Sequence, residues 1–293
     1  MKPTLLELIA QGRTLVSDGA WGTFLQAKGL QTGKCPEQWN EIHPKEVLDI
    51  AQGYIDAGAD MIETNSFGGN CFKLETFGLE DQVYSFNRKA AEISRLAAGD
   101  TKYVLGSVGP TGKMLLMGDV TEEELYQAFK EQAIALYEGG ADAIILETMT
   151  AIDEATIAVR AARENTPCIV ICTMTFDHLL TGGYRTMMGV SPAEMVVALK
   201  EAGVHIVGAN CSNGIEGMIE ITEEIRAVDA DIPVLIHANA GLPVLQGSCT
   251  VFPESPDMMA AFAPRLARAG ANIIGGCCGT TPEHIRRLVE VLK

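Results

Sequence analysis

Eight short runs of apolar, largely β-branched residues recur along the chain, at residues 14–18, 60–64, 103–109, 143–148, 169–176, 205–210, 234–239 and 272–276. Strands with one wet face alternate apolar and polar residues. These runs are continuously apolar, the pattern of parallel strands buried on both faces. Segments between them, such as PKEVLDIAQGYIDAG, TEEELYQAFKEQAIALYEGG and SPAEMVVALKEAG, repeat apolar residues at three- and four-residue spacing and are expected to form amphipathic helices. The joints AGAD (57–60), GGAD (139–142), AGVH (202–205) and AGAN (269–272) precede the second, fourth, sixth and eighth runs, each with a glycine suited to a left-handed helix end. Eight βα pairs in 293 residues, with no Ser- or Pro-rich linker, predict one α/β domain over 1–293, a parallel (β/α)8 TIM barrel. The rival, an open doubly wound sheet, is disfavoured because the first strand-to-helix turn, DGAWGTFLQ, lacks the G-x-G-x-x-G phosphate fingerprint.

Composition narrows the partners. With 38 acidic against 22 basic side chains, the net charge of −16 repels polyanions and argues against nucleic acid or an anionic membrane as partner. The N-terminal MKPTLLELIAQGR has no secretory apolar core, and no stretch approaches the roughly 20 apolar residues of a membrane span, so a cytoplasmic location is expected. Eight cysteines in such a chain point to buried thiols, metal ligands or reactive groups rather than a disulfide framework.

A barrel of this kind carries its active site at the C-terminal ends of the strands. The residues expected there are polar: Asp18, Glu63 with Thr64 and Asn65, Glu147, Asn210 with Cys211, Asn239, and Cys277 with Cys278. Cys211 and the Cys277–Cys278 pair lie more than sixty residues apart, yet the sixth and eighth strands of a barrel are near neighbours. Three thiolates converging there can hold a zinc ion and leave its fourth tetrahedral position to a substrate. Gly275, Gly276 and Gly279 frame the pair and are expected to let consecutive side chains turn toward one ion.

Other readings of these residues stand beside that one. Adjacent cysteines do not match the usual C-x2-C metal spacing, and the pair also suits buried small hydrophobes or a vicinal disulfide. A structural zinc with four sulfurs, Cys249 included, is a further possibility. Cys168 and Cys172 read as core, and Cys35 and Cys71 show no partner pattern. Asp18, taken alone, suits an Asp-Gly turn. Glu147 follows the apolar run AIIL, and a carboxylate buried there wants a cation or a hydrogen-bond donor, such as an α-ammonium group. His43, His178, His205 and His284 show no metal spacing, and only His237 falls near the rim.

The segments DGAWGT (18–23), ETNSFGGN (63–70), LETM (146–149), GANCS (208–212), NAGLP (239–243) and GGCCGTTPEHI (275–285) together resemble the zinc-dependent homocysteine S-methyltransferase family, in order and over nearly the whole chain. The resemblance implies Zn2+ held by Cys211, Cys277 and Cys278, with the sulfur of homocysteine completing the tetrahedron and accepting a methyl group to give methionine. It implies that Asp18 and Glu147 hold the amino acid, Glu147 facing the ammonium, that Gly19 and Thr64 lie at the substrate, and that Asn239 is an oxygen ligand when substrate is absent. ETNSFGGN and NAGLP look most like the homocysteine domain of cobalamin-dependent methionine synthases. The chain ends at Lys293, without room for the further domains of those enzymes. A methylated corrinoid protein or methylcobalamin supplied in trans is therefore the expected donor. The alternatives are a small donor (S-methylmethionine or a betaine) or a non-catalytic subunit that binds zinc and homocysteine. The loop PTGKMLLMGD and the segment GLPVLQGSCTVFPESPD are expected lids, with Met114, Leu115, Leu116 and Met117 exposed or packed on the rim.

Overall fold

The computed structural model describes residues 2–247 and 249–293, without the side chains of Gln246 and Cys249. Each predicted run coincides with a barrel strand, the fourth and sixth strands running past the predicted ends: β1 (Leu15–Val16), β2 (Met61–Glu63), β3 (Tyr103–Val108), β4 (Ala143–Met149), β5 (Ile169–Met174), β6 (Ile206–Gly214), β7 (Val234–Asn239) and β8 (Ile273–Gly276). A helix follows each strand: α1 (Pro44–Asp56), α2 (Val83–Ala98), α3 (Glu122–Glu138), α4 (Ile152–Asn165), α5 (Pro192–Glu201), α6 (Ile215–Val228), α7 (Pro256–Ala269) and α8 (Pro282–Leu292). The joint glycines Gly58, Gly140, Gly203 and Gly270 all have positive φ, at 96°, 105°, 86° and 117°.

All pairs of barrel strands are parallel, in the order β1-β8-β7-β6-β5-β4-β3-β2. The barrel is nearly closed, and side chains finish the seam between β1 and β2. One backbone bond crosses it, Asp60 N to Val16 O at 2.7 Å. Below, the Asp60 carboxylate accepts from Val16 N at 2.9 Å, and above, Asp18 accepts from Glu63 N at 2.8 Å. Two carboxylates thus satisfy backbone donors that a short first strand leaves without a ladder.

Apolar side chains pack in two shells. Inside the barrel, Leu15, Met61, Leu105, Ile145, Ile171, Ile206, Leu235 and Ile273, one from each strand, pack together with Leu5 and Leu8. The two leucines belong to an N-terminal helix, Leu5–Ala10, that plugs the lower end and was not anticipated from the sequence. Burial of each such side chain contributes about 1.5–3 kcal/mol. The outer shell, including Val16, Ile62, Val104, Ile144, Val170, Val207, Ile236 and Ile274, packs against the helices. Both strand faces are therefore buried, as continuous apolar runs require.

The upper end is dressed by loops. An antiparallel pair, Asp177–His178 with Tyr184–Arg185, follows β5, and another, Val244–Gln246 with Cys249–Val251, lies in the expected lid after β7. In the loop after β3, Met114, Leu116 and Met117 are exposed, but Leu115 packs against the core and does not join an exposed patch.

Candidate active site

Two irregular strand ends bring three thiols together. In β6, Asn210 pairs with His237 and the next pairing is Gly214 with Asn239, so the intervening residues leave the ladder. Cys211 and Ser212 bulge outward with φ of 62° and 55°, values that non-glycine residues adopt only when their surroundings enforce them. At the end of β8, Cys277 N donates to Ala238 O at 2.7 Å, and Thr280 N returns to Cys277 O at 3.1 Å, closing a turn with Gly279 at φ 81°. Gly279 thus supplies the bend expected of it. Gly275 and Gly276 serve differently, through close approach: an added Cβ would lie 2.8 Å from Ser17 Cβ in one case and 2.3 Å from Thr280 Oγ1 in the other.

The sulfurs of Cys211, Cys277 and Cys278 all lie within 4.8 Å of one another, with Cys211 and Cys278 at 3.9 Å. All three are free thiols. Donation from Cys277 and Cys278 pulls the Cys211 thiol down, while those bonds and burial push Cys277 up and Cys278 up to about 12. Such a cluster holds one negative charge readily and three only with a cation among them. Zinc bound tetrahedrally to sulfur at about 2.3 Å separates its ligands by about 3.8 Å, which the Cys211–Cys278 spacing matches. Asn239 lies against Cys211, and its buried Oδ1 has no hydrogen-bond partner. The donor set fits the ion that the family resemblance implies. Cys168 and Cys172 are core residues as expected, Cys35 is buried elsewhere and Cys71 is half-buried. The Cys249 side chain, considered for a four-sulfur site, lies outside the described residues.

The thiols open into a cavity of about 300 Å³, whose wall includes Gly19, Trp21, Glu37, Glu63, Thr64, Phe67, Ser107, Glu147 and His237. Among the described residues no lysine or arginine lines it. Glu147 is buried, accepts from Ser107 Oγ, and has Asn210 Nδ2 at 3.4 Å from its other oxygen. Burial, followed by the charge of Glu63, pushes its carboxyl well up. Glu63 and His237 meet beneath it, Oε1 to Nδ1 at 3.3 Å but poorly aligned for a hydrogen bond; burial drives Glu63 up and His237 down, each toward its neutral form. A cavity with several carboxyl groups and no fixed cation favours a ligand that carries positive charge.

Of the residues singled out from the sequence, Gly19, Thr64, Glu147 and the three cysteines line this cavity, whereas Asp18 and Asn239 sit behind its wall. Asp18 is buried and its oxygens are occupied: it accepts from Trp21 Nε1 and Glu63 N, both at 2.8 Å, and from Ser17 Oγ at 3.1 Å. Thr64 Oγ1 accepts from Ser107 N at 2.9 Å and pairs with Ser66 Oγ at 2.6 Å. Sequence reasoning passed over the pairing of Glu63 with His237, although both are polar residues in otherwise apolar strands. Glu37 carried no signal. It sits in an irregular stretch and is pinned over the mouth by Gly68 N at 2.7 Å and Cys35 Sγ at 3.2 Å.

Comparison with known proteins identifies the family. The family model described as homocysteine S-methyltransferase matches residues 15–292. The chain is 35% identical over 304 residues to methionine synthase of Mycobacterium tuberculosis and 35% identical over 306 residues to that of Mycobacterium leprae. In each case 98% of this chain is covered, and it spans 25% of the relative's length. The metallated crystal structure of the homocysteine methyltransferase MmuM from Escherichia coli superposes with a TM-score of 0.79 at 23% identity, over 97% of this chain and 98% of that one. The carboxyl transferase domain of Rhizobium etli pyruvate carboxylase shares the barrel more distantly, with a TM-score of 0.56 at 15% identity over 99% of this chain and 51% of that one. With the family model matched from the first barrel strand to the last helix, the chain belongs to the homocysteine S-methyltransferase family.

Proposed function

We propose that the chain transfers a methyl group to the thiolate of homocysteine, giving methionine, at a zinc ion held by Cys211, Cys277 and Cys278. The observation that carries this reading is the convergence of three sulfurs within 4.8 Å on a cavity that also presents the buried carboxyl of Glu147. A bound zinc ion would supply the charge that keeps a substrate thiol, ordinarily about 8.5 or higher in pKa, deprotonated near neutral pH.

The chain's own residues do the rest. Glu147, oriented by Ser107 and Asn210, receives the substrate ammonium and gains the cation that its burial calls for. Gly19 and Thr64 shape the wall beside it. Asp18 contributes from behind, fixing the Trp21 ring and the Glu63 backbone that face the substrate. Asn239, whose amide donates toward Cys211 and whose buried Oδ1 has no partner, is the oxygen ligand available when substrate is absent. The substrate sulfur attacks the methyl carbon in line, and the donor keeps the electron pair of the bond that breaks.

For the donor we favour a methylated corrinoid protein, or methylcobalamin, docking at the barrel mouth. The 35% identity to methionine synthases supports this, as do exposed Met114, Leu116, Met117, Leu242 and Leu245 on the loops after β3 and β7. No helix among the described residues is long and apolar enough to cross a membrane, and free thiols suit the reducing cytoplasm, where we place the protein. The test is methionine formation by zinc-loaded protein offered homocysteine with methylcobalamin, S-methylmethionine or betaine separately. Transfer from methylcobalamin is expected. Turnover with only a small sulfonium or betaine overturns the donor assignment, and zinc and homocysteine binding without turnover from any donor points to a binding subunit.

A further inference from the structure

Thr148, Cys211 and Ser212 are the described non-glycine residues with positive φ, and a single side chain sits between the two strand ends that contain them. Asn210 is fully buried. Its Oδ1 accepts from Thr148 N at 2.8 Å and from Thr173 Oγ1 at 2.7 Å, and its Nδ2 donates to Thr148 Oγ1 at 2.7 Å and approaches Glu147 Oε2 at 3.4 Å. Asn210 belongs to β6, Thr173 to β5 and Thr148 to β4, so the amide spans three strands. Alternate strands of such a barrel share interior layers, which is how a residue of β6 reaches one of β4.

The chemistry at this position is restrictive. An amide offers an acceptor and a donor at once, and both are used here. The acceptor holds the backbone of Thr148 where β4 breaks register between Leu146 and Met149, the irregularity from which Glu147 projects. The same residue is the last to pair before β6 breaks register and Cys211 turns outward.

We infer that Asn210 is a positioning residue that locks the Glu147 carboxyl to the Cys211 strand end, so that the ammonium-binding group and the thiol cluster keep a fixed separation matched to an α-amino-γ-thiol. The inference rests on the proposed homocysteine reading. Its consequence is selectivity. Disturbing Asn210 weakens a ligand that uses both ends of the cavity, and spares one that uses only the sulfur end.

The test compares two thiols on cobalt-substituted protein, whose absorption reports thiolate ligation without turnover: homocysteine and 4-mercaptobutanoate, which lacks the ammonium. Wild type binds homocysteine more tightly. Asn210→Asp keeps the acceptor oxygen but replaces the donor facing Glu147 with a second acidic oxygen. It is expected to weaken homocysteine binding by about 10–100-fold, a loss clearly larger than any change in cobalt affinity or in 4-mercaptobutanoate binding. Thr173→Val, which removes one donor to Asn210 from outside the cavity, shows the same selective loss at smaller size and serves if the first variant fails to fold. Equal losses for both thiols, or lost cobalt affinity in folded protein, overturn the inference while leaving the homocysteine reading standing. Equal affinity of wild type for the two thiols overturns that reading and this inference together.

Discussion

Cys211 and Cys278 hold their sulfurs 3.9 Å apart although 67 positions separate them in the chain. Neither strand end does this by regular geometry. One bulges through two residues of positive φ and the other folds into a turn with glycine at its third position. The thiols crown a barrel whose core packs without them, so removing a metal from this site is expected to leave the fold intact.

Cys277→Ala therefore abolishes stoichiometric zinc binding and leaves a folded protein. The core shells contain none of the three cysteines. In metal-free samples the far-ultraviolet dichroism is unchanged, and the melting temperature moves by about 2–4 °C, as for a loss of roughly 1 kcal/mol. Collapse of the fold on zinc removal would mark the site as structural instead.

Glu147→Gln removes the charge assigned to the substrate ammonium while keeping an acceptor for Ser107. A hydrogen bond to a charged group contributes about 1.5–3 kcal/mol, so KM for homocysteine rises by about one to two orders of magnitude with little change in kcat. Steady-state kinetics at saturating donor give the answer, and an unchanged KM would remove Glu147 from the substrate.

Much of this was legible in the sequence, for identifiable reasons. The eight strands announced themselves because both of their faces are buried. The joints held because Gly58, Gly140, Gly203 and Gly270 are needed at positive φ. The cysteines stood out because thiols in a glycine frame at a strand end are unusual. What stayed hidden depends on register between distant strands. The Asp18 carboxylate reads as a turn residue until Glu63 N and Trp21 Nε1 are seen to occupy it. Asn210 looks like any polar residue at a strand end until β4 is placed two strands away. Leu5 and Leu8 reveal a plug only once an open barrel floor exists for them to fill.

Gly279→Ala probes the turn behind the cysteine pair. The backbone there has φ 81°, and an added Cβ would lie 2.3 Å from Phe252 Cβ. Strain of this kind costs about 1–3 kcal/mol. Chelator competition should show weaker zinc binding together with a lowered melting temperature. A variant with unchanged zinc affinity would show that the turn does not aim the thiols.

Acid stability tests a different part of the fold. Asp229, just after α6, accepts from Lys200 Nζ and from the backbone N–H groups of Ile232 and Asp231, which hold its carboxyl down at about 2 against an ordinary 3.8. A folded pKa below the unfolded one stabilises the protein above about pH 4, a contribution lost as pH falls toward 2. In denaturant titrations Asp229→Asn is less stable at neutral pH and shows a shallower decline between pH 4 and pH 2. A parallel decline would assign the acid limb to other groups.

The most direct measurement is X-ray absorption at the zinc edge of the loaded protein, with and without homocysteine. The thiol cluster requires about three sulfurs at about 2.3 Å with one lighter ligand, rising to about four sulfurs when homocysteine is added. A shell that does not gain sulfur on addition of homocysteine, or protein that binds no zinc with its three thiols reduced, would contradict the assignment of this cluster as the site where the substrate sulfur is activated.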